Sequence, residues 1–132
     1  MRISLSMMLG AVIVAGLSAP TVALADGDAA KGAKVFKKCA ACHTATEAKN
    51  KVGPHLVGII DRPIASVEDY KYSKAMTEHA AEVPTWTVEA LNAYLHDPKG
   101  VVKGTKMAFA GLKKDDDIEN VIAYLKDPAA AE

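Results

Sequence analysis

The run Cys39-Ala40-Ala41-Cys42-His43 constrains this chain more than any other segment. Two cysteines three positions apart share one face of a helical turn, so both thiols can bond to two vinyl groups of one porphyrin. His43 follows directly and can bind the porphyrin iron through its imidazole. A C-x-x-C-H run is typical of covalent haem attachment, and we therefore predict one haem c bonded to Cys39 and Cys42.

Other uses of the two cysteines explain the sequence less well. A structural zinc site normally takes four protein ligands, and the chain has only these two cysteines. A thioredoxin-like redox motif would accompany a βαβ pattern, which the sequence does not show. A structural disulfide would use both thiols and leave His43 without a role.

The N-terminal segment predicts export. It opens with Met1-Arg2, continues with an apolar stretch from Leu5 to Leu17, and ends in the A-x-A signature Ala23-Leu24-Ala25. We predict that residues 1–25 are a signal peptide cleaved after Ala25, that residues 26–132 form one domain, and that the protein resides in the periplasm. The alternative is an uncleaved anchor that would make the chain a membrane-tethered subunit. The proline in the segment and its small-residue end argue against that alternative.

Three amphipathic helices are predicted, running from about Asp28 towards Cys39, from about Thr87 to His96, and from about Asp116 to Asp127. Asp28 is the expected N-cap of the first helix, and Asp116 with Glu119 has the spacing of a capping box. The apolar stripes are Gly32, Val35, Phe36 and Cys39, then Val88, Leu91 and Leu95, then Ile118, Val121, Ile122 and Leu125. No segment alternates as a strand does, so we predict an all-α domain.

Between the first and second helices lie some forty residues that we predict to be mostly irregular, with a short helix near Asp69 to Met76. So long a connection is unusual in a compact domain. A loop of this kind can wrap a flat cofactor and present backbone groups to its edges.

The mature chain offers five residues, apart from its lysines, as a second iron ligand: Met76, Met107, His55, His79 and His96. Met107 lies in a loop between the second and third helices that has a glycine on either side, Gly104 and Gly111. Such a loop can approach a porphyrin closely, whereas methionines of the core usually lie on helix stripes. His79 and His96 are expected at solvent-facing positions.

Charge is distributed unevenly, although 16 basic residues balance 16 acidic ones. Residues 29–46 contain four lysines and no acid, and residues 99–114 contain five lysines and no acid. These two segments carry His43 and Met107, so folding is expected to concentrate positive charge around them. A charge dipole of this kind favours docking on an acidic protein surface. Nucleic acid is not an expected partner, because the basic stretches lack interleaved aromatic residues.

Several motifs follow one another in an order that resembles the class I c-type cytochromes. The chain is most similar to the bacterial cytochrome c2 group, which is close to mitochondrial cytochrome c, over nearly all of residues 26–126. The motifs are Gly27-Asp28, Phe36, Cys39 to Thr44, Lys51-Val52-Gly53-Pro54, Trp86, Asp97-Pro98-Lys99, Gly104-Thr105-Lys106-Met107 and Ile122-Ala123-Tyr124-Leu125-Lys126. The resemblance implies a small cytochrome c fold, with the N- and C-terminal helices crossing and loops wrapping one haem.

The resemblance also implies roles for single residues. His43 and Met107 would be the axial iron ligands, and the Pro54 carbonyl would accept a hydrogen bond from the second nitrogen of His43. Tyr94 resembles the tyrosine whose hydroxyl lies near the ligand sulfur. The remaining expected cofactor contacts are to the haem propionates, from Trp86 and Arg62 with Tyr70 or Tyr72.

The resemblance also implies contacts where the terminal helices cross, and the chain departs from the family pattern at two positions. Gly32 and Phe36 would meet Val121 and Tyr124 where the terminal helices cross. His55 stands where the family usually has Asn, and Met76 stands where many relatives have a polar residue.

The function implied is one-electron transfer by a soluble carrier that is not an enzyme. It would cycle between Fe(II) and Fe(III) and pass electrons from a quinol-oxidising, bc1-type complex to a terminal oxidase, a photosynthetic reaction centre or a reductase. The alternative is a haem protein that binds a ligand or reacts with peroxide, which would require a displaceable Met107. The expected partners are membrane-bound redox complexes with acidic surfaces, contacted by a monomer through Lys37, Lys38, Lys99, Lys103, Lys106, Lys113 and Lys114.

Overall fold

The computed structural model describes residues 27–132 and has a helical architecture. The helices are α1 (Ala29–Phe36), α2 (Lys74–Glu82), α3 (Val88–His96), α4 (Pro98–Val101), α5 (Asp115–Lys126) and a final 3-10 turn (Pro128–Ala131). Among these residues the only β pairing is an isolated antiparallel bridge between Pro63 and Thr85. The predicted all-α class is therefore confirmed, while the predicted signal peptide, residues 1–25, lies outside the described residues.

Helices α1 and α5 pack against each other and bring the two ends of the domain together. Asp28 caps α1 as predicted, with its carboxylate accepting a hydrogen bond from the Lys31 N–H at 2.9 Å. Gly32 is buried at the crossing, where a Cβ would overlap the carbonyl oxygen of Asn120. The rings of Phe36 and Tyr124 lie 5.2 Å apart between their centroids. The close approach implied for Gly32 is thus present in the structure.

Helix α5 begins one residue earlier than predicted and without the predicted capping box. Its N-cap is Lys114, which makes no side-chain capping bond. The first turn instead contains three acidic residues, Asp115, Asp116 and Asp117. Their negative charges interact favourably with the positive end of the helix dipole. The predicted stripe of Ile118, Val121, Ile122 and Leu125 is buried in full.

Helix α2 corrects the short helix predicted near Asp69 to Met76. The helix starts at Lys74, because the Ser73 hydroxyl caps the Met76 N–H at 3.1 Å, and it continues to Glu82. None of its residues is fully buried. A helix without a buried stripe leaves little periodic signal in the sequence, which explains why its extent was missed.

Asp97 ends α3, as predicted, and it also begins the short helix α4. It follows His96 at the end of α3 and also caps α4, with its carboxylate accepting a bond from the Gly100 N–H at 3.0 Å. Pro98 takes the first helical position of α4, where its missing N–H costs nothing.

No helix in residues 27–132 is long and apolar enough to cross a membrane.

Gly32→Ala is expected to lower the free energy of unfolding by about 2 kcal/mol, because the new methyl group must push α1 and α5 apart. This loss exceeds the gain of about 1 kcal/mol that alanine has over glycine in a helix. The measurement is denaturant unfolding of the haem-loaded protein. Ala30→Ser, at an exposed position of the same helix, is the control with little expected effect. A Gly32→Ala protein as stable as the unmodified one would contradict the account of the crossing.

Candidate functional site

A cavity of about 550 Å³ lies at the centre of the fold and opens to solvent on one side. Its walls come from the turn after α1, the long connection to α2, helices α2 and α3, and the segment before α5. All ten cofactor-contact residues expected from the sequence line this single cavity: Cys39, Cys42, His43, Pro54, Arg62, Tyr70, Tyr72, Trp86, Tyr94 and Met107. The fold therefore brings together side chains spread over 69 positions of sequence.

The cysteines and His43 are presented by helical turns that continue beyond α1. The Cys42 and His43 N–H groups donate to the carbonyl of Cys39 at 3.0 and 2.9 Å. This winding places both thiols and the imidazole on the cavity wall. Burial raises the pKa of the Cys39 thiol, and the nearby Lys38 ammonium only partly opposes the rise.

The His43 ring is fixed in orientation by two residues of the following loop. Its Nδ1 donates to the Pro54 carbonyl at 2.7 Å, so the Nε2 atom keeps its lone pair. Gly53 is buried against the face of the imidazole, where a Cβ would overlap the ring. Burial lowers the pKa of His43 below its ordinary value, which favours the neutral imidazole that a metal requires, although the hydrogen bond to Pro54 opposes this shift.

Met107 is held by a small hydrogen-bonded group. The Tyr94 hydroxyl lies 4.0 Å from the Met107 sulfur and 3.1 Å from the Thr105 hydroxyl oxygen. The same Thr105 oxygen accepts a bond from the Met107 N–H at 3.3 Å. Burial raises the pKa of Tyr94, so its hydroxyl stays protonated and able to donate. Sequence reasoning did not assign a role to Thr105, and only its place beside Met107 could have suggested one.

The Met107 segment is bounded by glycines and tied down before the methionine. Gly104 and Gly111 have φ values of +89° and +101°, a region that side chains rarely adopt. Lys106 donates from its ammonium group to the Lys71 carbonyl at 2.7 Å and lies 5.4 Å from the centre of the Tyr70 ring. This links the Met107 segment to the chain just before α2.

Arg62 supplies a buried polar group that the protein leaves without a partner. Its two terminal nitrogens donate to the His55 and Val57 carbonyls at 3.0 and 3.1 Å. Its Nε–H is buried and has no hydrogen-bond acceptor among the described residues. Burial lowers the pKa of Arg62 from its usual value, yet arginine remains a cation at neutral pH. A carboxylate in the cavity would satisfy this donor.

The aromatic residues near Arg62 close the same part of the cavity. Trp86 is buried, with its ring centroid 5.0 Å from that of Tyr94. Tyr70 and Tyr72 meet edge to face with centroids 4.9 Å apart. The Tyr70 hydroxyl donates to the Val52 carbonyl at 3.0 Å, whereas the Tyr72 hydroxyl accepts from the Val67 N–H at 3.2 Å.

The other candidates for a second ligand occupy different places. Met76 lines the same cavity as Met107, but His55, His79 and His96 are not part of its wall. His96 is exposed on α3. His79 is half-buried on α2, with its ring 6.3 Å from that of Trp86, so it is not the solvent-facing residue that we expected.

These residues fit a haem. The cavity is large and mostly apolar, as a porphyrin requires, and it has two thiols for the vinyl groups. A neutral imidazole and a thioether are suitable iron ligands, and they come from different segments of the wall. The unpartnered Nε–H of Arg62 fits an acidic substituent at the porphyrin edge.

The two lysine-rich segments approach each other in the fold. Lys38 from the first segment and Lys113 and Lys114 from the second line one shallow groove beside Phe109, and Asp117 of α5 is also part of it. Lys38 and Lys106 also lie on the wall of the central cavity. All seven lysines proposed for docking are exposed.

A family model described as Cytochrome c matches residues 29–128. Among characterised relatives, cytochrome c-550 of Ancylobacter novellus is 53% identical over 98 residues, which cover 74% of this chain and 92% of that protein. Cytochrome c2 of Rhodospirillum rubrum is 49% identical over 124 residues, covering 87% of this chain and 91% of that protein.

The fold is also similar to a solved structure. Cytochrome cH from Methylobacterium extorquens superposes with a TM-score of 0.69 at 40% sequence identity. The match covers 76% of this chain and 98% of that one.

Gly53→Ala is expected to displace the His43 imidazole and break its bond to Pro54, since the added methyl group would occupy the position of the ring. We expect a smaller yield of haem-loaded protein and a free energy of unfolding lower by about 2 kcal/mol. Absorbance of the attached haem and denaturant unfolding measure the two effects. Gly58→Asn is the control, because Gly58 has φ +61°, which asparagine tolerates, and open space around it. Equal yield and stability for the two variants would show that Gly53 does not fix the ring.

Proposed function

The chain belongs to the Cytochrome c family, as a class I member of the c2 group, and on this premise we propose that it is an exported one-electron carrier with His43 and Met107 as its iron ligands. The family binds haem c covalently, and here Cys39 and Cys42 are the attachment cysteines. Members of the family are electron carriers rather than enzymes. The observation that carries the proposal is the meeting of His43 and Met107 in one apolar cavity, each already fixed by hydrogen bonds.

His43 contributes a pre-oriented ligand. Donation from Nδ1 to the Pro54 carbonyl selects the tautomer with a free Nε2 and increases the basicity of that nitrogen. Gly53 allows the loop to lie directly on the ring, which restricts its rotation. The imidazole therefore needs little rearrangement to bind iron.

Met107 contributes the second ligand and biases the redox equilibrium. A thioether is a soft donor, and Met/His ligation raises the reduction potential. The Tyr94 hydroxyl near the sulfur, together with Thr105, fixes where the thioether lies. Met76 lies on the same wall, but among residues 27–132 its sulfur has no polar contact like that of Met107, which favours Met107 as the ligand.

Electron transfer benefits from a closed and rigid site. When bound, haem supplies the Fe(II)/Fe(III) couple, and the protein has only to hold it with little change of geometry. With His43 and Met107 both bound, the iron would have no position left for a substrate. Buried residues of the wall, among them Trp86, Leu91 and Ile59, keep water from the interior of the site. Arg62 is expected to pair with a propionate through its unpartnered Nε–H, and Trp86, Tyr70 and Tyr72 complete that side.

The exposed lysines near the cavity suit an acidic partner. Lys38 and Lys106 line the cavity itself, and Lys114 lies beside Lys38 at the neighbouring groove. We expect a monomer to dock through this side onto membrane-bound redox complexes. A quinol-oxidising complex would be the donor, and a terminal oxidase, photosynthetic reaction centre or reductase the acceptor. Residues 1–25 would direct the chain to the periplasm, with cleavage after Ala25 and a single domain over residues 26–132.

Optical spectra of the haem-loaded protein test the ligand assignment. We expect a c-type spectrum in which the oxidised form has the weak red sulfur-to-iron band, and no change when carbon monoxide is added to the reduced form. Met107→Ala is expected to lose the band and to bind carbon monoxide, because one iron position is then open. Met76→Ala, which removes the other thioether of the cavity, is the matched control and is expected to keep the band.

The alternative function predicts the opposite spectra. Rapid carbon monoxide binding by the unmodified protein, without a sulfur-to-iron band, would mean that Met107 is absent from the iron or easily displaced. The chain would then be a ligand-binding or peroxidase-like protein, and the carrier proposal would be wrong.

A further inference from the structure

Lys113, one of the seven lysines expected to dock a partner, is exposed, yet its ammonium group donates hydrogen bonds to the protein's own backbone. Its Nζ donates to the His96 carbonyl at 3.1 Å and to the Ala110 carbonyl at 3.0 Å. Hydrogen bonds from a charged donor are stronger than those between neutral groups. Two of the three donors of this ammonium group are therefore committed to the backbone.

The two carbonyls belong to different parts of the fold. His96 is the last residue of α3, so its carbonyl has no partner within the helix. Ala110 lies three residues after Met107, at the end of the glycine-bounded segment. Lys113 thus bridges the C-terminal end of α3, where a cation is also favoured by the helix dipole, and the Met107 segment.

Neighbouring contacts show that this bridge stands at a close approach of two chain segments. The Leu112 N–H donates to the Leu95 carbonyl at 2.8 Å. Gly111, with φ +101°, lies against the His96 carbonyl so closely that a Cβ would overlap it. These contacts therefore fix the C-terminal end of the Met107 segment to α3. The bond from Lys106 to the Lys71 carbonyl fixes the segment just before Met107.

Lys114, the next residue, provides the contrast. It is exposed like Lys113 and precedes α5, but within the described chain its ammonium group makes no bond to the carbonyls that Lys113 holds. A partner carboxylate could bind Lys114 without breaking any of these contacts, whereas it would have to compete with two carbonyls at Lys113.

We propose that Lys113 is a positioning residue that holds the Met107 segment against the end of α3, and that it is not one of the docking lysines. The proposal rests on the proposed function in one respect, since it takes Met107 as the iron ligand. It separates two adjacent lysines that look equivalent in the sequence: Lys113 maintains the ligand segment, and Lys114 is available to a partner.

The test compares Lys113→Met with Lys114→Met in the haem-loaded protein. Both changes leave an unbranched side chain that is one heavy atom shorter, and both remove one positive charge. The readouts are the hydrogen-exchange rate of the Leu112 amide and the temperature at which the sulfur-to-iron band disappears. Lys113→Met is expected to speed the exchange of Leu112 roughly ten-fold or more, the size expected for loss of a charged hydrogen bond, and to lose the band at lower temperature. Lys114→Met is expected to leave both readouts unchanged and to slow association with an acidic redox partner at low salt.

Lys113→Arg is the conservative variant, because it keeps a cation that can donate to two carbonyls, and it is expected to restore slow exchange of the Leu112 amide. Unchanged Leu112 exchange and an unchanged band in Lys113→Met, with association slowed as much as in Lys114→Met, would overturn the proposal and make Lys113 a docking lysine. Absence of the band in the unmodified protein would instead contradict the proposed function. The Leu112 exchange rates alone would then decide whether Lys113 holds this segment against the end of α3.

Discussion

A large apolar cavity at the centre of a small chain is the feature on which the rest of this structure depends. Left without an apolar occupant, a cavity of about 550 Å³ would cost on the order of 13 kcal/mol at roughly 24 cal/mol per Å³. That is as large as the whole stability of a typical small domain, roughly 5–15 kcal/mol. Water entering from the open side would reduce this cost but would leave the apolar lining wet. We therefore expect the helices to form a shell that is stable only with a covalently attached porphyrin.

The shell holds the segments that carry His43 and Met107 mainly through backbone carbonyls. His43 is fixed by the carbonyl of Pro54. The Met107 segment is fixed by two lysines that donate to backbone carbonyls, Lys106 to that of Lys71 and Lys113 to those of His96 and Ala110. Such contacts depend on chain geometry rather than on the identity of the acceptor residue. We expect them to keep His43 and Met107 in place in both oxidation states of the haem, as fast electron transfer requires.

The parts of the fold that could be predicted are those with a local signal. The apolar stripe of α5 and the Asp28 N-cap of α1 each depend on a short stretch of sequence, and the structure has both where they were expected. The covalent cofactor followed from five adjacent residues. The bounds predicted for α2 were wrong, because this helix buries no apolar stripe. The capping box predicted at Asp116 was also wrong, because three acidic residues stabilise the start of α5 without a capping bond.

Contacts between distant segments could not be predicted in the same way. Nothing around Lys113 in the sequence distinguishes it from Lys114, and the difference arises only when α3 ends beside Ala110. His79 reaches Trp86 for a similar reason, because α2 continues further than its pattern suggested. The resemblance to a family supplied the cavity residues, but it did not assign hydrogen-bond partners to Thr105 or Lys113.

The most direct test of this account is the helix content of the chain without its haem. Replacement of both Cys39 and Cys42 by alanine prevents attachment, and far-ultraviolet circular dichroism measures how much helix remains. We expect a largely unfolded chain with no cooperative thermal transition, because the free energies of folding and of cofactor binding are then one quantity. A haem-free chain with the full helix content and a cooperative transition would contradict it.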